Sequence, residues 1–270
     1  MDMKEFVRVI QIPTANGQRL QEYGLFHCIF FALTIVAMVF AVIYTLKKGE
    51  KNVYFLYVLS SVLMWVGELY KQFCYSFRKT GYFDYDWYSF PWQFCSTPLY
   101  TFLFCAIAKK GKLYDAVSAY NATYALFAGT CVMLYPSTLV DNYGISFQSL
   151  LHHALMMITG VSALVLYAKK FSVKLFAESF IVYLILFAVG IILNFIIPPL
   201  TGQEVNMYFV SKTFPGEDNP FGIFRDAYPY PIFLIVYTLL FTEFAALIAH
   251  VAYLVAKKKA AKRLAANTQY

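Results

Sequence analysis

The sequence predicts an all-α, polytopic membrane protein of seven transmembrane helices, with its N-terminus outside and its C-terminus cytoplasmic. Three observations predict it. Of 270 residues, 60% are hydrophobic and 14% charged, against roughly 25% charged in a soluble domain. The apolar residues are gathered into stretches of about 20, the length a helix needs to cross some 30 Å of hydrocarbon. Lys and Arg divide unequally between the two sides those stretches define, eight against fourteen, and the richer side is expected to be cytoplasmic. Residues 1–270 therefore read as a single domain, with no room for a separate soluble catalytic or nucleic-acid-binding unit.

Each element follows in order. Residues 1–23 form an outer segment of mixed charge. The first span, 24–46, has an apolar run too long for a cleavable signal peptide and no small-residue cleavage site after it. Spans at 53–74, 90–108, 113–135, 146–167, 173–198 and 231–256 follow. Lysines gather in the connections assigned to the cytoplasm (Lys47, Lys48, Lys51; Lys109, Lys110, Lys112; Lys169, Lys170, Lys174). The basic tail 257–270 is expected to continue the last helix and to meet anionic headgroups. The net charge of +7 thus reads as topology, with no nucleic acid as partner. The loop 199–230 is punctuated by Pro and Gly and is expected to fold as an outside cap. Tyr82, Phe83, Tyr85, Trp87, Tyr88 and Trp92, at the mouth of the third span, read as an interfacial aromatic belt.

Ionisable groups inside a bilayer are costly and must face protein or water, so each marks a candidate site. Depth sorts them. Cys95 lies five residues into the third span, about 8 Å below the outer boundary at 1.5 Å per residue. His152 and His153 fall at a similar depth in the fifth, Glu68 near the outer end of the second, and Asn194 near the outer end of the sixth. Ser61, Trp65, Glu68 and Gln72 share one helical stripe, which should turn Glu68 inward. Pro98 cannot donate a backbone bond and is expected to free the Phe94 carbonyl beside Cys95. Singly, each residue has a structural reading: a buried apolar thiol, a helix kink, an interhelical hydrogen bond. At one depth they favour a Cys/His pair. Glu243 and His250 sit deeper, two turns apart, and read as packing or interhelical bonding groups. Five cysteines without CxxC spacing predict neither a disulfide framework nor a zinc site; no metal or other cofactor is expected.

FPWQFCSTPLY at the third span, QSLLHHALMM at the fifth, and NFIIPPLTGQEVNMYFVSKTF through YPYPIF resemble the YwaF-like integral membrane proteins that include transmembrane protein 164. The resemblance extends over the whole seven-span layout. It implies an acyltransferase that moves fatty acyl chains between glycerophospholipids with a catalytic Cys and His. Carried over by motif, these are Cys95 and His153, with His152 one residue away as the alternative. Where bacterial relatives often have His, this chain has Gln93. The expected location is a bacterial cell membrane.

On that reading the imidazole takes the Cys95 proton, the thiolate attacks a phospholipid ester, and a lipid hydroxyl collects the acyl group from the thioester. Glu68 would orient the imidazole, and Asn194 or Asn206 would donate to the oxyanion. The rival class is a seven-helix transporter or small-ligand-binding protein without covalent chemistry, because fold alone does not select function.

Overall fold

The structure, a computed structural model, describes residues 1–214 and 225–267. Those residues are helical or irregular, with no strand among them. A short helix, α1 (Met3–Ile10), precedes α2 (Leu25–Lys48), α3 (Glu50–Phe77), α4 (Pro98–Ala108), α5 (Lys112–Tyr120), α6 (Leu126–Leu134), α7 (Tyr143–Tyr167), α8 (Val173–Thr201) and α9 (Tyr230–Asn267). A π turn at Asn121–Ala125 joins α5 to α6, so that Lys112–Leu134 forms one span. Among the described residues, six helices are long and apolar enough to cross a membrane. The sequence predicts seven; the third stretch is the one that falls short.

That third stretch begins later than expected. The residues from Phe90 form no α-helix until Pro98, apart from a 3-10 turn at Phe94–Ser96. α4 has 11 residues, about 16 Å at 1.5 Å per residue, or half of a 30 Å hydrocarbon layer. Pro98 is the reason. Its fixed φ and missing N–H suit the first helical turn, and it starts α4 instead of kinking a longer helix. The Phe94 carbonyl is consequently not free, because the Thr97 hydroxyl donates to it at 2.8 Å.

Irregular backbone at this depth survives only where its polar groups find partners inside the protein. They do. Gln72 donates to the Ser89 carbonyl at 2.7 Å. Gln203 accepts from Trp87 N–H and donates to the Tyr85 carbonyl, both at 3.0 Å. Trp65 Nε1 donates to the Leu99 carbonyl at 3.1 Å. The inward stripe on α3 is therefore real: Ser61 and Glu68 are buried, and Gln72 and Trp65 are half-buried.

α7 is central and packs on α2, α3, α6 and the π turn. Gly160 permits the last contact. A Cβ there would lie 2.9 Å from the Leu126 Cβ and 3.0 Å from the Asn121 carbonyl oxygen. The outer helices show the reverse of a soluble pattern. On α2 the buried residues are His27, Thr34, Ala41 and Thr45, spaced at seven, seven and four on one face. Leu25, Ile29, Leu33, Val36, Phe40 and Ile43 are exposed. Apolar surface of that extent is not tolerated against water.

Beyond α8, the described part of the 199–230 loop does more than cap. Val205 to Ser211 is buried apart from Phe209, so the segment plugs the bundle. Asn194 clamps it, accepting from Met207 N–H at 2.6 Å and donating to the Met207 carbonyl at 3.0 Å. Tyr208 and Phe209 both have φ of 58°, a left-handed conformation costing on the order of 1–3 kcal/mol per non-glycine residue. Of the aromatic belt, Tyr82 and Phe83 are exposed, whereas Trp92 packs inward and donates to the Leu186 carbonyl at 3.0 Å. Glu243 and His250 are exposed on α9, which corrects their reading as packing groups: α9 turns Phe241, Ala245 and Ala249 inward instead.

Candidate active site

The late start of α4 leaves a hollow of about 210 Å³ between α3, the 3-10 turn and the first half of α7. Cys95 lines it from the turn, Glu68 and Lys71 from α3, and Ser149, His152 and His153 from α7. Gln93, Gln148, Arg19, Asp141 and Phe209 also belong to the wall. The expected thiol and both candidate imidazoles thus share one cavity.

The two histidines are held differently. His152 Nε2 lies 2.9 Å from the Cys95 carbonyl oxygen, which can only accept, so Nε2 carries the proton and the ring pins the turn that presents the thiol. His153 Nδ1 lies 2.7 Å from the Ser149 carbonyl oxygen and is the protonated nitrogen by the same argument. Its Nε2 is left with a lone pair, buried and without a hydrogen-bond partner. Neither imidazole bonds the Cys95 sulfur among the described contacts. Gln93 repeats the pattern of an orphan acceptor: Nε2 donates to the Asn206 carbonyl at 2.9 Å, while Oε1 is buried without a partner.

Three expected roles are not realised. Glu68 does not orient an imidazole. Its Oε1 accepts from Lys71 Nζ at 2.8 Å and from Gln72 Nε2 at 2.6 Å, because its own helix supplies both partners one turn away. Asn194 spends its amide on Met207. Asn206 accepts from Ser211 N–H at 2.9 Å through Oδ1. Neither asparagine lines the cavity, and both hold the plug in place.

Other site residues went unread in the sequence. Gln148 and His152 are four apart on α7, a spacing that puts them on one face; that signal was available. Lys71 is three residues from Glu68 and equally legible. Arg19, which donates to the Val140 carbonyl at 2.8 Å through Nε, and Phe209 carry no local signal, since long-range folding brings them here. Among the described residues no group of three or more His, Cys, Asp or Glu is arranged to hold a metal ion.

A family model, that of the TMEM164 family, matches residues 22–252, most of the chain. The chain belongs to the TMEM164 family. Cys95, His152 and His153 all lie within the matched stretch, as do the first five long apolar helices and the sixth as far as residue 252. Family and helices together make this an integral, multi-pass membrane protein. No curated protein and no solved structure matches this TMEM164-family chain.

Proposed function

We propose that this TMEM164-family protein is a thiol acyltransferase that moves fatty acyl groups between glycerophospholipids in the outer half of the membrane. In this reading α4, continued by its irregular approach, makes the seventh crossing. The N-terminus is then outside, and the lysine-rich connections and tail are cytoplasmic.

One observation carries the proposal: the Cys95 thiol lines the same small cavity as a histidine whose basic nitrogen is buried, accepting and unpartnered. A thiol with a free pKa near 8.5 needs a base to act as a nucleophile at neutral pH. His153 Nε2 takes the Cys95 proton. The thiolate adds to the ester carbonyl carbon, the ester C–O bond breaks, and the departing lysolipid oxygen takes the proton back from His153. A second lipid hydroxyl then gives its proton to His153 and adds to the thioester. The C–S bond breaks and the thiolate is reprotonated. His152 acts through the backbone as a positioning residue. The imidazole-to-sulfur approach belongs to the liganded state, since catalytic hydrogen bonds are commonly loose in unliganded sites.

Purified protein is incubated with phospholipid labelled in the acyl chain, denatured, and treated with neutral hydroxylamine. Label that survives denaturation, leaves with hydroxylamine and is missing in Cys95→Ala is the expected result. Absence of such label, with solute uptake or ligand binding indifferent to Cys95→Ala, would instead establish the transporter or binding-protein reading.

A further inference from the structure

Beside the polar hollow runs a second and larger space, about 570 Å³, walled almost entirely by apolar groups. The two meet at one place. Gln148 and His152 line both, and Gly67 closes the seam from α3, where a Cβ would come within 3.2 Å of the Gln148 Cγ. Leu63, Val66 and Phe147 at its rim are exposed, whereas Met64, Leu155 and His152 at its floor are buried. The groove therefore opens sideways, on the outward faces of α3 and α7, where lipid would stand.

Resting on the acyltransferase reading above, we infer that this groove seats one fatty acyl chain of a glycerophospholipid, with the ester carbonyl at the Gln148–His152 seam and the headgroup in the polar hollow. The seam lies part-way along the groove: from Gln148 its lining on α7 runs on to Leu155, about 10 Å at 1.5 Å per residue, which takes the part of the chain next to the ester and leaves the rest to the lipid layer. The groove's volume lies within the range of about 300–1,000 Å³ usual for ligand sites.

Polarity fits as well. The hollow holds Arg19 and Lys71 together with Glu68 and Asp141, both signs within reach of a zwitterionic or anionic headgroup. Gln148 is buried, yet its side-chain amide makes no hydrogen bond among the described residues. At the seam it supplies the donor an ester carbonyl needs. Leu63 and Leu155 stand at the end of the groove away from the headgroup, where the chain leaves the protein.

The test uses binding, not turnover. A phosphatidylcholine with a photoreactive diazirine in the ester-proximal half of one chain is incorporated in nanodiscs with the full-length protein, irradiated, and its adducts are mapped by mass spectrometry. Adducts should concentrate at Leu63–Met64 and Leu151–Leu155 and saturate with lipid. Leu63→Trp should lower that saturable labelling by about tenfold, whereas Ile185→Trp, on the exposed face of α8, should leave it unchanged. Adducts spread evenly over the outward helices, or labelling indifferent to Leu63→Trp in folded protein, would overturn the inference. Groove labelling without an acyl-Cys95 would remove the transferase and leave the groove; an acyl-Cys95 whose chain labels elsewhere would do the opposite.

Discussion

A histidine with Nδ1 committed to a backbone carbonyl has one neutral tautomer, and its Nε2 keeps a lone pair for whatever enters the cavity. His152 is committed through the opposite nitrogen, Nε2 to the Cys95 carbonyl, and keeps its lone pair on Nδ1; what sets His153 apart is that its free nitrogen is buried without a partner. His153→Ala is expected to reduce acyl-labelling of Cys95 by about two to four orders of magnitude, the usual worth of a general base. His152→Ala, which removes a neutral hydrogen bond worth about 1 kcal/mol, should cost roughly tenfold or less, read in the same assay. Glu68→Ala leaves Lys71 and Gln72 without their shared acceptor and should lower the melting temperature far more than the labelling rate of the protein that remains folded. Depth alone made Cys95 and the histidine pair legible in the sequence, because a bilayer sorts residues by distance along a helix. The direction in which a polar side chain spends its hydrogen bonds is not so sorted. Glu68, Asn194 and Asn206 accordingly spend their side chains on Lys71 and Gln72, on Met207 and on Ser211.

At the scale of the elements, two unusual pieces of backbone hold the site, and each depends on one residue. The plug at 205–211 is clamped by Asn194, whose loss strands Met207 N–H and its carbonyl in a buried setting at a cost of about 1–3 kcal/mol. Asn194→Ala is expected to expose this segment to limited proteolysis while the wild type resists; equal cleavage of the two would show that the clamp contributes nothing. The contact of α7 with the π turn depends on the missing side chain at Gly160. Gly160→Ala should destabilise by about 1–3 kcal/mol through overpacking, read as a drop in thermal unfolding temperature in detergent. Neither feature was legible beforehand. The proline-rich loop announced irregularity but not its inward course, and the π turn needs neighbours on three sides. Pro98 was legible as a breaker, yet whether a proline kinks a helix or begins one is decided by what packs upstream.

Over the whole molecule, the long apolar stretches fixed the helices to within a few residues, since lipid demands length and low charge from each one independently. The third stretch departs because its polar demands are met by neighbours instead of by its own ladder, which composition cannot reveal. If the irregular approach and α4 do complete a crossing, single cysteines introduced at Lys79 and Lys110 should react with impermeant thiol reagents from opposite faces of sealed vesicles; reaction from the same face would make α4 re-entrant. The shortness of α4 also has an evolutionary corollary. A full-length helix would satisfy its own backbone more cheaply than the borrowed contacts from Gln72, Gln203, Trp65 and His152 do. Selection for heat resistance alone should therefore lengthen that helix toward the surface and fill the hollow, so thermostabilised descendants would be the first place to look for inactive but well-behaved protein.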